Sequence, residues 1–152
     1  MWLRKAYLSF HRRANAGVLD AGVTADQFVL LSVLAREPGI TQITVVERTA
    51  SDPNTVAAIL RLLEQRGLVR REAHARDRRA RCVFLTAEGR RVQRRAARAA
   101  ESLLTALWEC VADSDRSLIE RFLQRVHAVF STPLAGANGQ SPRRISKRNV
   151  AP

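Results

Sequence analysis

A mainly α-helical fold with one small β-hairpin is predicted by three observations on this 152-residue chain. Apolar residues recur at helical spacing in nearly every segment up to residue 131. Two strong helix starts, Thr24 with Gln27 three residues later and Asp52–Pro53, stand directly before such segments. Only 68–73 and 81–85 break the pattern, with β-favouring runs on either side of a polar stretch at 74–80. About six helices and a two-stranded β-hairpin are therefore expected.

Each element follows from local chemistry. Trp2, Leu3, Ala6, Tyr7 and Phe10 form an apolar stripe, so a first helix is expected over 2–20, ending before Gly22–Val23. The Thr24 capping box opens a second helix through Phe28, Leu31, Leu34 and Ala35, closed by Pro38–Gly39. Thr41 caps a short helix through Ile43, Val46 and Glu47 that ends near Ala50. Asp52–Pro53 starts a fourth, which buries Val56, Ile59, Leu60 and Leu63. Its opposite side gathers Asn54, Ala57, Ala58, Arg61 and Gln65, and Gly67 terminates it. After the hairpin, Thr86 caps a long helix reaching about Val111. Val92, Ala96, Ala99, Leu103 and Leu107 lie on one side of it and Arg90, Arg91, Arg94, Arg95 and Arg98 on the other. A last helix opens at Asp113 or Ser114 and carries Leu118, Ile119, Phe122, Leu123, Val126, Val129 and Phe130. Residues 132–152, almost free of large apolar side chains, read as a disordered basic tail.

Composition narrows the function classes. At 46% hydrophobic and 26% charged the chain reads as a soluble globular protein, and no apolar run suits a membrane span. The opening MWLRKAYLSFHRR interrupts its apolar residues with charge too often for a signal-peptide core, so a cytoplasmic location is expected. Two cysteines, Cys82 and Cys110, make no disulfide framework; packing is the expected role of both. The three histidines, at 11, 74 and 127, have no metal-ligand spacing. Neither metal nor cofactor is expected, and the Ser, His and acidic residues fall in no catalytic motif, so no enzyme is predicted.

The formal net charge is +12, with 24 of the 26 basic residues being arginine. It is unevenly spread: residues 70–81 carry +4, residues 86–101 carry +3 and residues 132–152 carry +4. Concentrated positive charge is the electrostatic footprint of a polyanion-binding face.

Residues 24–86 thus read as a helix-turn-helix followed by a two-stranded wing. A helix with a small, polar outer face can enter a major groove about 12 Å wide. Its capped N-terminus brings unpaired amides to the phosphates. An arginine-rich hairpin tip can reach the adjacent minor groove, where guanidinium groups favour narrow A·T tracts.

The sequence here resembles the MarR family of winged-helix regulators. The resemblance rests on GITQ at 39–42, SDPNTV at 51–56, LRLLEQRGLVRR at 60–71 and DRRARCVFLTAEGRR at 77–91. It implies one domain over 1–131, with 24–86 as the winged unit and 2–20 and 87–131 as dimerisation helices. It further implies a homodimer whose two winged units straddle a near-palindromic operator in double-stranded DNA. Thr41 and Gln42 would contact phosphate, and Asn54, Thr55 and Arg61 the major groove. In the wing, Arg79 would enter the minor groove, oriented by Asp77, with Arg76 and Arg78 beside it. The family's behaviour implies a repressor released by a small aromatic or phenolic effector filling the cleft between dimer region and winged unit. His11, Arg12 and Trp108 are the candidates to line that cleft. Two other readings stay open on the residues alone. One is a winged helix used as a protein-interaction module; the other is a non-specific architectural DNA binder, favoured by Ala57–Ala58 and the basic tail.

Overall fold

The computed structural model describes residues 1–73 and 81–131. The hairpin tip 74–80 and the tail 132–152, on which two of the sequence expectations fall, lie outside the described residues. The elements run α1 (Trp2–Val18), a 3-10 turn (Leu19–Ala21), α2 (Ala25–Arg36), β1 (Ile40–Thr41), α3 (Gln42–Thr49) and α4 (Pro53–Gln65). They continue through β2 (Val69–Ala73), β3 (Arg81–Leu85), α5 (Ala87–Glu109) and α6 (Asp113–Ser131). Contacts group them into two compact units, Met1–Cys110 and a second beginning at Val111.

The first unit is built around aliphatic side chains. Leu31 and Leu34 of α2, Val45 of α3, Val56, Leu60 and Leu63 of α4 and Val83 of β3 have no exposed surface. Together they fix α2, α3, α4 and the sheet as one block, since burial of each such side chain contributes about 1.5–3 kcal/mol. The long helix α5 packs on α1 and α2 through Val92, Ala96 and Ala100, small enough to let the helices approach. The inner face expected on α5 is therefore corrected along its length. Ala100 is buried rather than Ala99, and Leu107 is 44% exposed, because burial ends with the contact to α1 and α2.

The start signals act as expected. Thr24 accepts from the Gln27 amide while the Gln27 side chain accepts from the Thr24 amide, each at 3.2 Å, a complete capping box. Asn15 of α1 reaches across to accept from the Ala25 amide at 2.6 Å, joining α1 to that helix start. Gly67, at φ +67°, closes α4: its amide donates to Glu64 and that of Leu68 to Leu63, the paired bonds of a Schellman turn.

The expected two-stranded wing forms from β2 and β3, with Val69 opposite Leu85, and a third strand that the sequence did not signal joins it. The sheet has three antiparallel strands in the order β1-β3-β2, with Ile40 opposite Val83 and Thr41 opposite Cys82. A two-residue strand leaves no alternation to detect in sequence. It exists because Gly39, at φ +80°, turns the chain so that its amide donates to the Val83 carbonyl. A side chain at Gly39 would stand 2.8 Å from the Phe84 ring, so both the turn and the close approach require glycine.

The second unit contributes α6, an amphipathic helix whose Leu118, Phe122, Val129 and Phe130 are at least 60% exposed. No single described helix is long and apolar enough to cross a membrane.

Candidate nucleic-acid interface

The turn between α3 and α4 is set by two caps. Ala50 takes up the left-handed conformation at φ 49°, and its amide donates to Glu47 while that of Ser51 donates to Val46. Two residues on, the Asp52 carboxylate accepts from the amides of Asn54 (2.8 Å) and Thr55 (3.0 Å), with Pro53 at the first helical position. Asp52→Ala is expected to cost about 1 kcal/mol of stability, the usual worth of such a cap, measured by urea denaturation.

With Val56, Leu60 and Leu63 turned inward, helical geometry places Asn54, Ala58, Arg61 and Gln65 in a line on the outer face of α4. All four are exposed, as is Thr55 beside them. Ala57, expected on this face, is half-buried at its margin, one sixth of a turn nearer the core. Leu62 joins the face instead, 49% exposed next to Ala58. The same wheel that placed Arg61 outward would have placed Leu62 there. The outer face thus has one positive charge, two amides and an apolar patch.

On α3, which passes through Ile43, Val46 and Glu47 as expected, Val45 is the buried residue and Ile43 is 72% exposed. The contact to α2 and α4 selects Val45, and Val46 packs half-buried against the same core. Thr41 caps α3, its hydroxyl oxygen accepting from the Thr44 amide at 3.2 Å, and both Thr41 and Gln42 are half-buried at that helix start.

Several arginines are held by the fold itself. Arg48 donates from Nε to Glu37 at 2.9 Å, and this hydrogen bond raises its pKa above the ordinary value. Arg66 donates to the Gly22 carbonyl at 2.6 Å and Arg95 to the Ala21 carbonyl at 2.7 Å, so α4 and α5 both grip the turn before α2. Arg91 pairs with Glu88 at 2.7 Å; the bond raises the Arg91 pKa and holds the Glu88 carboxyl below its usual range. A lowered carboxylate contributes at neutral pH, and its contribution is lost as pH falls through its folded-state pKa. The arginine stripe expected on α5 is thus divided: Arg91 and Arg95 have partners inside the fold. On β2, Arg70 pairs with Glu72 and lies over the Phe84 ring, 4.8 Å from its centroid. Arg76, Asp77, Arg78 and Arg79 belong to 74–80, outside the described residues.

A second feature lies behind the helix-turn-helix. A cavity of about 480 Å3 is walled by α1, α2, α5 and the turn Thr49–Ser51. Tyr7, Phe10 and Phe28 supply aromatic lining. Its polar corner is His11, its ring tilted against Tyr7 at 5.7 Å between centroids and 3.3 Å from the Asp26 carboxylate. Of the three residues expected to line a ligand cleft, only His11 is in this wall. Arg12 turns back to Ser9 Oγ at 3.5 Å, and Trp108 borders a separate depression with Arg98 and Glu101. Cys82 is buried, whereas Cys110, expected to pack, is exposed at the end of α5.

Ala50, in the cavity wall, is the one described non-glycine residue at positive φ. A left-handed alanine costs roughly 1–2 kcal/mol, against less than about 1 kcal/mol of added chain entropy for glycine. Ala50→Gly is therefore expected to stabilise the fold by about 0.5–1 kcal/mol in thermal or urea unfolding.

The MarR family model matches residues 21–80, which span the helix-turn-helix and reach into the wing. Over those residues the winged helix-turn-helix is similar to that of the MarR family. Among relatives, the transcriptional regulator HosA of Escherichia coli is 44% identical over 70 residues, covering 46% of this chain and 52% of that protein. The chain spans about half the length of that relative. Among solved structures, the PcaV transcriptional regulator of Streptomyces coelicolor, in complex with its natural ligand, superposes with a TM-score of 0.77 at 27% identity. That match covers 85% of this chain and 91% of PcaV. The transcriptional repressor CouR, bound to a 23-mer DNA duplex, gives 0.73 at 26% identity over 82% of this chain and 88% of CouR. The likeness in fold to these regulators thus extends beyond the segment that the family model matches.

Proposed function

We propose that this MarR-family chain is a sequence-specific transcriptional regulator, acting as a homodimeric repressor on an inverted-repeat operator. The observation that carries this reading is α4: a helix anchored by Val56, Leu60 and Leu63, capped by Asp52, and presenting Asn54, Thr55, Ala58 and Arg61 to solvent. Such a face has little use in a folded monomer and matches the dimensions of a major groove. The likeness to CouR, solved on a DNA duplex, supports the same partner.

Dimerisation is supported by what each unit leaves exposed. Trp2 and Leu3 of α1 and Phe122 and Phe130 of α6 are 60–83% exposed, more apolar surface than a chain of this size normally presents. A second copy would cover it, and two-fold symmetry suits two half-sites about 34–36 Å apart. In each half-site Thr41 and Gln42 would hold phosphate. Arg79, oriented by Asp77 and flanked by Arg76 and Arg78, would occupy the minor groove.

The cavity is the proposed effector site, and its aromatic lining and size suit a small aromatic or phenolic molecule. Its wall includes Thr49–Ser51, the three residues before the Asp52 cap, so an occupant would press on the turn that aims α4. A ligand favouring a spacing of the two α4 helices that mismatches the half-sites would release the operator. The likeness to PcaV, solved with its natural ligand, supports this part.

The test is a mobility shift at physiological salt with a duplex from upstream of the chain's own gene, competed by random duplex of equal length. Retention of the upstream complex under excess random DNA is expected. Equal competition by both would overturn the regulator reading.

A further inference from the structure

The composition of the α4 outer face carries the reading one step further, to the bases it would read. The face is nearly uncharged: Arg61 is its only cation among Asn54, Thr55, Ala58, Arg61, Leu62 and Gln65. Ala58 sits at its centre, one turn from Asn54 on one side and one turn from Arg61 on the other. Leu62, 49% exposed, extends the apolar centre outward. A bare methyl between two hydrogen-bonding side chains cannot satisfy a base amino or carbonyl group. It can pack against one groove feature only, the C5-methyl of thymine.

We infer that each half-site presents a thymine methyl to Ala58 and Leu62, between an adenine bonded by Asn54 and a guanine bonded by Arg61. Asn54 has the amide pair that matches adenine N6 and N7, and Arg61 the fork that matches guanine O6 and N7. Seven residues separate them, about 10.5 Å along the helix at about 1.5 Å per residue. That is about three base steps of roughly 3.4 Å for a helix lying along the groove. Ala58 falls inside this interval, and Leu62 follows Arg61 one turn beyond Ala58. The inference rests on the proposed DNA-binding function and adds to it the chemistry of the bases.

The experiment uses the full chain and duplexes selected from a random pool. In the recovered inverted repeat, each thymine is replaced in turn by uracil, which deletes the methyl and keeps the pairing. Losing one buried methyl corresponds to about fourfold in affinity per half-site, hence about fifteenfold when both half-sites are changed. One thymine position, within three steps of a guanine, is expected to respond. In Ala58→Gly the thymine-to-uracil ratio should shrink, whatever the variant does to overall binding, because both duplexes meet the same protein. A selected repeat with no uracil-sensitive position would overturn the inference and leave the regulator reading intact. A uracil effect that Ala58→Gly leaves unchanged would do the same. Recovery of no consensus at all would overturn both.

Discussion

Gly89→Ala is expected to lower the melting temperature by about 6–12 °C, equivalent to roughly 3 kcal/mol for a chain of this length. Gly89 lies in the first turn of α5 with helical geometry, where propensity alone predicts that alanine stabilises by about 1 kcal/mol. The structure reverses that sign. A Cβ at Gly89 would stand 1.9 Å from the carbonyl oxygen of Leu68 and 2.9 Å from its carbon, both backbone atoms. The Leu68 carbonyl cannot simply retreat, because it accepts from the Thr86 amide at 3.1 Å and the Thr86 hydroxyl at 3.2 Å. Thr86 in turn caps α5 by accepting from the Gly89 amide at 3.0 Å. Relieving the clash therefore breaks the cap that joins wing to long helix. Differential scanning calorimetry of the single variant measures the effect, and a melting temperature above the parent's would refute this account of the junction.

Arg61→Ala is expected to weaken binding to the specific operator by about 1–3 kcal/mol per half-site, so about 2–6 kcal/mol for a dimer engaging both. Binding to random DNA should change far less. Arg61 is the one cation of the α4 outer face, one turn from Ala58 and apart from the ion pairs of Arg48 and Arg71 and the carbonyl contact of Arg66. A base contact and a phosphate contact differ in salt dependence. Loss of a phosphate contact would weaken all duplexes uniformly and reduce the slope of log affinity against log salt by about 0.9 for each site lost. Titrations of parent and variant at two salt concentrations separate the roles. Equal weakening on specific and random duplexes would move Arg61 to the backbone.

Much of this was legible in the sequence because the signals are local. Asp52–Pro53, the Thr24–Gln27 capping box and the Thr86 cap each act within three residues, and all three helices begin where those residues put them. The inward side of α4 followed from its period, with Val56, Leu60 and Leu63 spaced to share one side. What escaped was set by distant partners. β1 is two residues long and exists through its pairing with Val83 and Cys82, some forty positions away. Which residue of α3 is buried depended on α2 and α4, and the inner face of α5 on where α1 and α2 stop. The requirement for glycine at 89 is likewise non-local: the motif placed it there, and only the Leu68 carbonyl explains it.

The cation count proved the least transferable observation. As sequence, 70–81 and 86–101 read as concentrated positive charge. In the fold Arg66 and Arg95 hold the Ala21–Gly22 turn, while Arg71 and Arg91 pair with Glu64 and Glu88. In the proposed complex with DNA, general attraction to phosphate is then left to fewer side chains than the 26 basic residues suggest, and selectivity to the nearly neutral face of α4.

The central claim is that two copies of α4 enter successive major grooves on one side of a duplex. A footprint of the full chain on the upstream region of its own gene tests it most directly. Two protected half-sites related by a dyad are expected, their centres about one helical turn apart, with protection lost on the same duplex for the Arg61→Ala variant. Continuous protection without a dyad, equal in parent and variant, would contradict it.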